Sequence, residues 1–247
     1  MRYPETLHQS MQNSVLNLST DHFLPILSVA SCELVGGEHA SIIPTACAIK
    51  IAHAASLLHD EQLLSHSSIP YQRMAVLTGE ALFIRAFECV VSFTPPGLVP
   101  EFIIQQVVTE LSKAVGSTGV AGRQSLISCE KEIIWMLRRK FGAMAECSAV
   151  CGGLVGGGGE DVVGRLRKYG MAVGVLHQVM GEILLMEDSE MDGNNNGVTL
   201  LGVVGIERAM ELVEELKSKA TRELDMLEEK YGEKAMPLRC ILLDLRT

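Results

Sequence analysis

An all-α fold is predicted by three features of this 247-residue sequence: long apolar runs without breakers, only 4% aromatic residues, and no β-type alternation. Leu, Val, Ile, Ala and 12 Met carry the apolar mass, and these residues favour helices over an aromatic-rich sandwich. With 47% AVILMFWYC residues and 21% charged residues, the composition is that of a packed globular chain and excludes disorder as the main state. A formal net charge of -9 repels phosphate backbones and anionic lipid surfaces, which argues against nucleic acid as a partner. The reading is one domain over residues 1–247, with roughly ten helices of ordinary length.

The elements follow in order. Pro44 suits a helix start, and from it the chain runs without a breaker to His59 and Asp60, with Ala48, Ile51, Ala55 and Leu58 on one stripe. A second long helix is expected from Pro70 to Phe93, stopped by the prolines of TPPGLVP. Residues 101–116 read as helical, closed by the glycines of GSTGVAG, and residues 130–157 as one or two more helices. Gly156 to Gly159 form a break. From Asp161, the positions Leu166, Tyr169, Val173, Leu176, Met180 and Leu184 recur at helical spacing, before a polar loop over Glu187 to Asn196. A final amphipathic helix carries Ile206, Met210, Val213, Leu216, Ala220, Leu224 and Leu227. No apolar run is expected to reach the length of a membrane span, and the opening residues show neither a signal-peptide core nor a transit-peptide bias.

Chemistry is sparse at the level of motifs. GGGGED at residues 156–161 lacks the preceding strand and the Gly-Lys-Ser/Thr ending of a phosphate loop, so it reads as a turn with Asp161 near a helix start. The seven cysteines are scattered through apolar segments with no paired framework and read as reduced, mostly buried thiols. Cys147 and Cys151 lie one helical turn apart, but no second ligand pair accompanies them, so no metal site is expected.

The segment SLLHDEQ at 56–62 stands out, preceded by CELVGGEHASIIPTACAIKIAHAA and followed by MAVLTGEALFIRAF. With GSTGVAGRQ at 116–124, RRKFGAMAECSAVCGGLVGG at 138–157 and LRKYGMAVGVLHQVMGEIL at 166–184, it resembles the trans-prenyltransferases. Within these short-chain isoprenyl diphosphate synthases, it is similar to plant plastid geranylgeranyl diphosphate synthases and their small subunits. The likeness covers about residues 7–190 in order. It implies an all-α bundle around a deep central cavity, the isoprenoid synthase fold.

The same resemblance exposes losses. Active members hold Mg²⁺ ions on two Asp-rich motifs, and those ions clamp and neutralise the allylic diphosphate. Here the first motif reads Asp60, Glu61, Gln62, Leu63, Leu64, Ser65, His66, so its distal aspartate is a histidine. Aligned on Gln178, the second reads Gly181, Glu182 and Leu185, with one carboxylate left. The basic GGKRxRP segment for the non-allylic substrate becomes Ser19, Thr20, Asp21, His22, Phe23, Leu24 and Pro25, where Asp21 repels diphosphate. Lys140, at the family's diphosphate lysine, remains.

Three damaged sites imply a noncatalytic chain that binds no cofactor itself, with Mg²⁺ in a catalytic partner. The resemblance implies the small subunit of a heterodimeric geranyl or geranylgeranyl diphosphate synthase in the plastid, bound to a large subunit. Such subunits carry partner-binding CxxxC motifs. Cys147 and Cys151 complete one, whereas the other has Ser28 in place of its first cysteine and ends at Cys32. The alternatives are a weakly active prenyltransferase and a helical module that binds a prenyl chain or a protein.

Overall fold

A computed structural model describes residues 4–18, 22–59, 68–116, 129–188 and 199–245. Among them every regular element is helical. The α-helices are α1 (Glu5–Asn13), α2 (Phe23–Leu34), α3 (His39–Leu58), α4 (Ile69–Phe93), α5 (Glu101–Val115), α6 (Glu130–Leu137), α7 (Ala143–Val155), α8 (Glu160–Asp188), α9 (Leu200–Tyr231) and α10 (Met236–Asp244). A π-turn over Arg138–Gly142 joins α6 to α7, so the expected one or two helices are two with a bulge between them.

α8 lies at the centre of this packing. α7 and α9 flank it most extensively, α2 and α5 cover α7, and α3 bridges α2 and α4. One apolar core runs from Leu24 to Leu242, and a smaller one forms where α1, α3 and α4 meet around Met11, Leu58 and Leu82. Tyr169 on α8 is wholly buried, and its hydroxyl donates to the Leu238 carbonyl at 2.6 Å, which ties α10 to the centre. Burial pushes the phenol's pKa up, so the donor keeps its proton.

Several helix limits depart from the expectation. α3 begins at His39, with Pro44 inside it. The proline lies near enough to the N-terminus that its missing N–H leaves only the carbonyl of the exposed Ala40 unpaired by it. α2 lies outside the expected helices: FLPILSVASCEL has no polar face to define a stripe and is buried on several sides. The core face of α8 passes through Val179 and Ile183, with Met180 partly buried against the same core, whereas Leu184 is exposed. In α9, Gly205 at φ 77 breaks the helical register, which leaves Ile206 and Met210 exposed while Ala209, Leu212 and Val213 enter the core. α10 follows what was expected to be the last helix.

α3 and the Glu160–Met186 stretch of α8 are long and apolar enough to cross a membrane, with mean hydropathy 1.5 and 1.3. This corrects the expectation that no run reaches that length. Their apolar windows are 67% and 56% buried inside the bundle, as core helices are.

Candidate functional site

The last turns of α8 carry Gly181, Glu182 and Leu185. Glu182 is the single carboxylate of the three, and both of its oxygens are engaged. Oε1 accepts from Gln178 Nε2 at 3.2 Å, and Oε2 accepts from the backbone N–H of Leu200 at 2.9 Å. Leu200 opens α9, and a helix N-terminus presents unpaired N–H groups and the positive end of the helix dipole. Thr199 shares the task, its Oγ1 accepting from the Gly202 N–H at 3.1 Å. Glu182 is therefore committed to joining α8 to α9.

Around it, Leu185 is 64% exposed and Gly181 faces open space where a Cβ would stand. Mg²⁺ demands several hard oxygen ligands in octahedral array. Two neutral positions and one occupied carboxylate do not fit that ion. Among the described residues, no three His, Cys, Asp or Glu side chains form a group that could hold a metal.

Asp60, Glu61 and His66 of the first motif lie outside the described residues, as does Asp21. The chain reaches the first motif through His59, the C-cap of α3. Its Nε2 lies 3.2 Å from the Val76 carbonyl, and its ring meets Phe83 edge-on at 5.5 Å. Gly79 makes this possible, because a Cβ there would collide with the imidazole. At the basic segment, His22 precedes α2 and its Nδ1 stands 3.5 Å from Lys50 Nζ. Leu24, in the place of an arginine, points into the core at 7% exposure. Phe23 stacks on His177 of α8 with ring centroids 4.4 Å apart. An aromatic stack and a core leucine thus occupy the segment where cations would meet diphosphate. Lys140 sits half-buried in the π-turn.

The four CxxxC positions come together across α2 and α7. Ser28, Cys32, Cys147 and Cys151 are all buried. The Cys147 and Cys151 sulfurs are 3.8 Å apart, and Ser148 between them donates its hydroxyl to the Leu24 carbonyl. Gly152 lies against the Ser28 carbonyl so closely that a Cβ would overlap it. The thiols are therefore covered by this chain's own helices. Within this chain the motif lies where α2 and α5 pack against α7. Its hydrogen bond with Cys147, reinforced by burial, holds the Cys151 thiol well above its ordinary pKa, so it stays protonated.

The sequence profile described as Polyprenyl synthetase matches residues 5–197. The chain belongs to the polyprenyl synthetase family. It is 41% identical to the heterodimeric geranylgeranyl pyrophosphate synthase small subunit, chloroplastic, of Arabidopsis thaliana, over 94% of this chain and 72% of that protein. It is 33% identical to the heterodimeric geranylgeranyl pyrophosphate synthase large subunit 1, chloroplastic, of the same plant, over 91% of this chain and 68% of the relative. The geranyl diphosphate synthase small subunit of Antirrhinum majus shares the fold, with a TM-score of 0.75 at 23% identity over 98% of this chain and 90% of that one. The all-α reading is borne out.

A further feature lies outside these motifs. The outer side of α4 exposes Leu77 (54%), Ile84 (66%) and Val91 (60%), seven residues apart and hence on one stripe. Ile69, Tyr71 and Phe93 are also exposed on α4, as are Leu98 in the turn that follows and Phe102 on α5. The 3.6-residue period was legible there, but α4 is apolar on two sides, and sequence alone does not say which side faces the core.

Proposed function

We propose that the chain is a noncatalytic regulatory subunit that binds a catalytic geranylgeranyl diphosphate synthase and modulates its activity or the length of its C10 or C20 product. One observation carries this: the last carboxylate of the second Asp-rich motif is spent on capping α9, between a glycine and an exposed leucine. Mg²⁺ and bond-making chemistry then belong to the partner. The small-subunit and large-subunit relatives support the pairing, and their chloroplastic designation supports a plastid location. Residues 1–247 act as one isoprenoid-synthase-like domain.

The exposed stripe of Leu77, Ile84 and Val91 on α4 is the docking face, since exposed apolar residues grouped on one face mark sites of association. Ser28, Cys32, Cys147 and Cys151 contribute indirectly, by fixing α2 against α7.

The test mixes the purified chain with a catalytic geranylgeranyl diphosphate synthase and supplies isopentenyl and dimethylallyl diphosphates. The chain alone should form no product; the mixture should co-elute and differ from the partner alone in rate or product length. Turnover by the chain alone would make it an enzyme, and a partner unaffected in both respects would remove the regulatory role.

A further inference from the structure

α3 and α4 pack antiparallel, and two thiols meet in the seam between them. The order of contacts sets the direction: His59 reaches the Val76 carbonyl, Gly79 faces the Ala55 carbonyl, and Cys89 Sγ donates to the Pro44 carbonyl at 3.3 Å. Cys89 is buried at 8% exposure, whereas Cys47, one turn beyond Pro44 on α3, is exposed. Both are free thiols.

Helix geometry turns these two side chains toward one another. Every Cα–Cβ bond of a helix tilts toward its N-terminus, so a side chain covers the turn before its own Cα. Cys47 therefore leans back over the Pro44 turn, where Cys89 Sγ already sits. Because the helices are antiparallel, the same tilt on α4 carries Cys89 along α3 toward the level of Cys47. Electrostatics agrees with this placement. Burial raises the Cys89 pKa, and the charge of the Cys47 sulfur raises it further, an influence that needs short range.

We infer that Cys47 and Cys89 form a reversible disulfide that clamps α3 to α4, made by exchange with a small-molecule disulfide. With oxidised glutathione as that reagent, the deprotonated Cys47, open to solvent, attacks one of its sulfurs. This forms a mixed disulfide on Cys47 and expels one glutathione thiolate. Cys89, once deprotonated, attacks the Cys47 sulfur, closes the Cys47–Cys89 bond and expels the second glutathione thiolate. Two electrons pass from the protein thiols to the reagent, and the two protons released convert both thiolates to glutathione. Burial keeps Cys89 from meeting the reagent itself, which fixes the order of the steps. Cys147 and Cys151 are also adjacent, but both are buried on one helix, where a bond would join no two elements. The bond does not depend on the subunit role, although it clamps the helix that carries the proposed docking face.

The test incubates the full chain with oxidised glutathione under native conditions, quenches it with iodoacetamide and maps it by peptide mass without reduction. Wild type should yield a Cys47–Cys89 linked peptide that dithiothreitol removes. Cys89→Ser should instead retain glutathione on Cys47, and Cys47→Ser should leave Cys89 unmodified. Serine at 89 keeps a donor for the Pro44 carbonyl and Cys47 is exposed, so both variants keep the fold, which circular dichroism checks. Oxidised wild type should melt at least about 4 °C above the reduced chain, because the bond closes a long loop of the unfolded chain. The same treatment should not raise the melting temperature of Cys89→Ser. A glutathione adduct that persists on Cys47 in wild type, a link from either thiol to another cysteine, or a melting temperature unchanged by oxidation would overturn the proposal. Co-elution with a catalytic partner is measured on the reduced chain, so the subunit role is judged separately.

Discussion

Replacing Glu182 with Ala removes the acceptor for the Leu200 N–H and the partner of Gln178 in one step. Loss of a helix N-cap acceptor costs about 1 kcal/mol. Thermal unfolding should show that loss for Glu182→Ala and a smaller one for Glu182→Gln, which keeps an acceptor oxygen; equal stability of Ala and wild type would mean the cap is idle. The thiols offer a second test. Cys47, Cys129 and Cys240 are exposed, whereas Cys32, Cys89, Cys147 and Cys151 are buried, and burial raises the pKa of Cys32 and Cys89. Alkylation of the native chain should label the first three rapidly and the other four only after unfolding, as read by intact mass. Rapid labelling of Cys147 or Cys151 would show that α7 is open. At this scale the sequence revealed which residue types were lost from the motifs. It did not reveal the use found for the survivor, because the partner of Glu182 is a backbone N–H eighteen residues away.

Helices α3 to α9 were legible because breakers and 3.6-residue spacing mark their limits, within the shifts at Pro44 and Gly205. α2 was not, since a helix buried on several sides has no amphipathic signature. The closeness of α2 and α7 depends on small residues at facing positions, and two glycines test it in opposite directions. Gly152→Ala drives a methyl into the Ser28 carbonyl, a backbone atom that cannot swing aside, and should destabilise by about 1 to 3 kcal/mol. Gly164→Ala on α8 meets open space and should stabilise by up to about 1 kcal/mol through helix propensity. Denaturant midpoints that moved together would refute this account of α2–α7 packing. For α4, Ile84→Arg places a charge on the exposed stripe without touching the core. Its stand-alone stability should stay within about 0.5 kcal/mol of wild type, while retention of the catalytic partner on a column should fall sharply. Undiminished retention would move the docking face elsewhere.

For the molecule as a whole, family and fold were legible because five segments keep their order, but activity depends on groups that the fold only positions. The structure adds a reason why repairing one site is insufficient. Gly181→Asp and Leu185→Asp are sterically free, the first facing open space and the second already 64% exposed, so the double variant should fold and can present two new carboxylates. Glu182 beside them remains bound to the start of α9, Leu24 remains in the core at the position where the family resemblance implies a cation, and His66 stands where it implies the distal aspartate of the first motif. Groups that act as a unit return far less than their share when one is restored. The double variant, supplied with Mg²⁺, isopentenyl and dimethylallyl diphosphates, should therefore form no prenyl product above the wild-type background, while a chelator-sensitive rise in melting temperature reports any Mg²⁺ that the new carboxylates gain. Turnover approaching that of an active synthase would show that the lesion on α8 alone silences the chain, and the buried Leu24 and the Phe23–His177 stack would then have to be compatible with substrate binding.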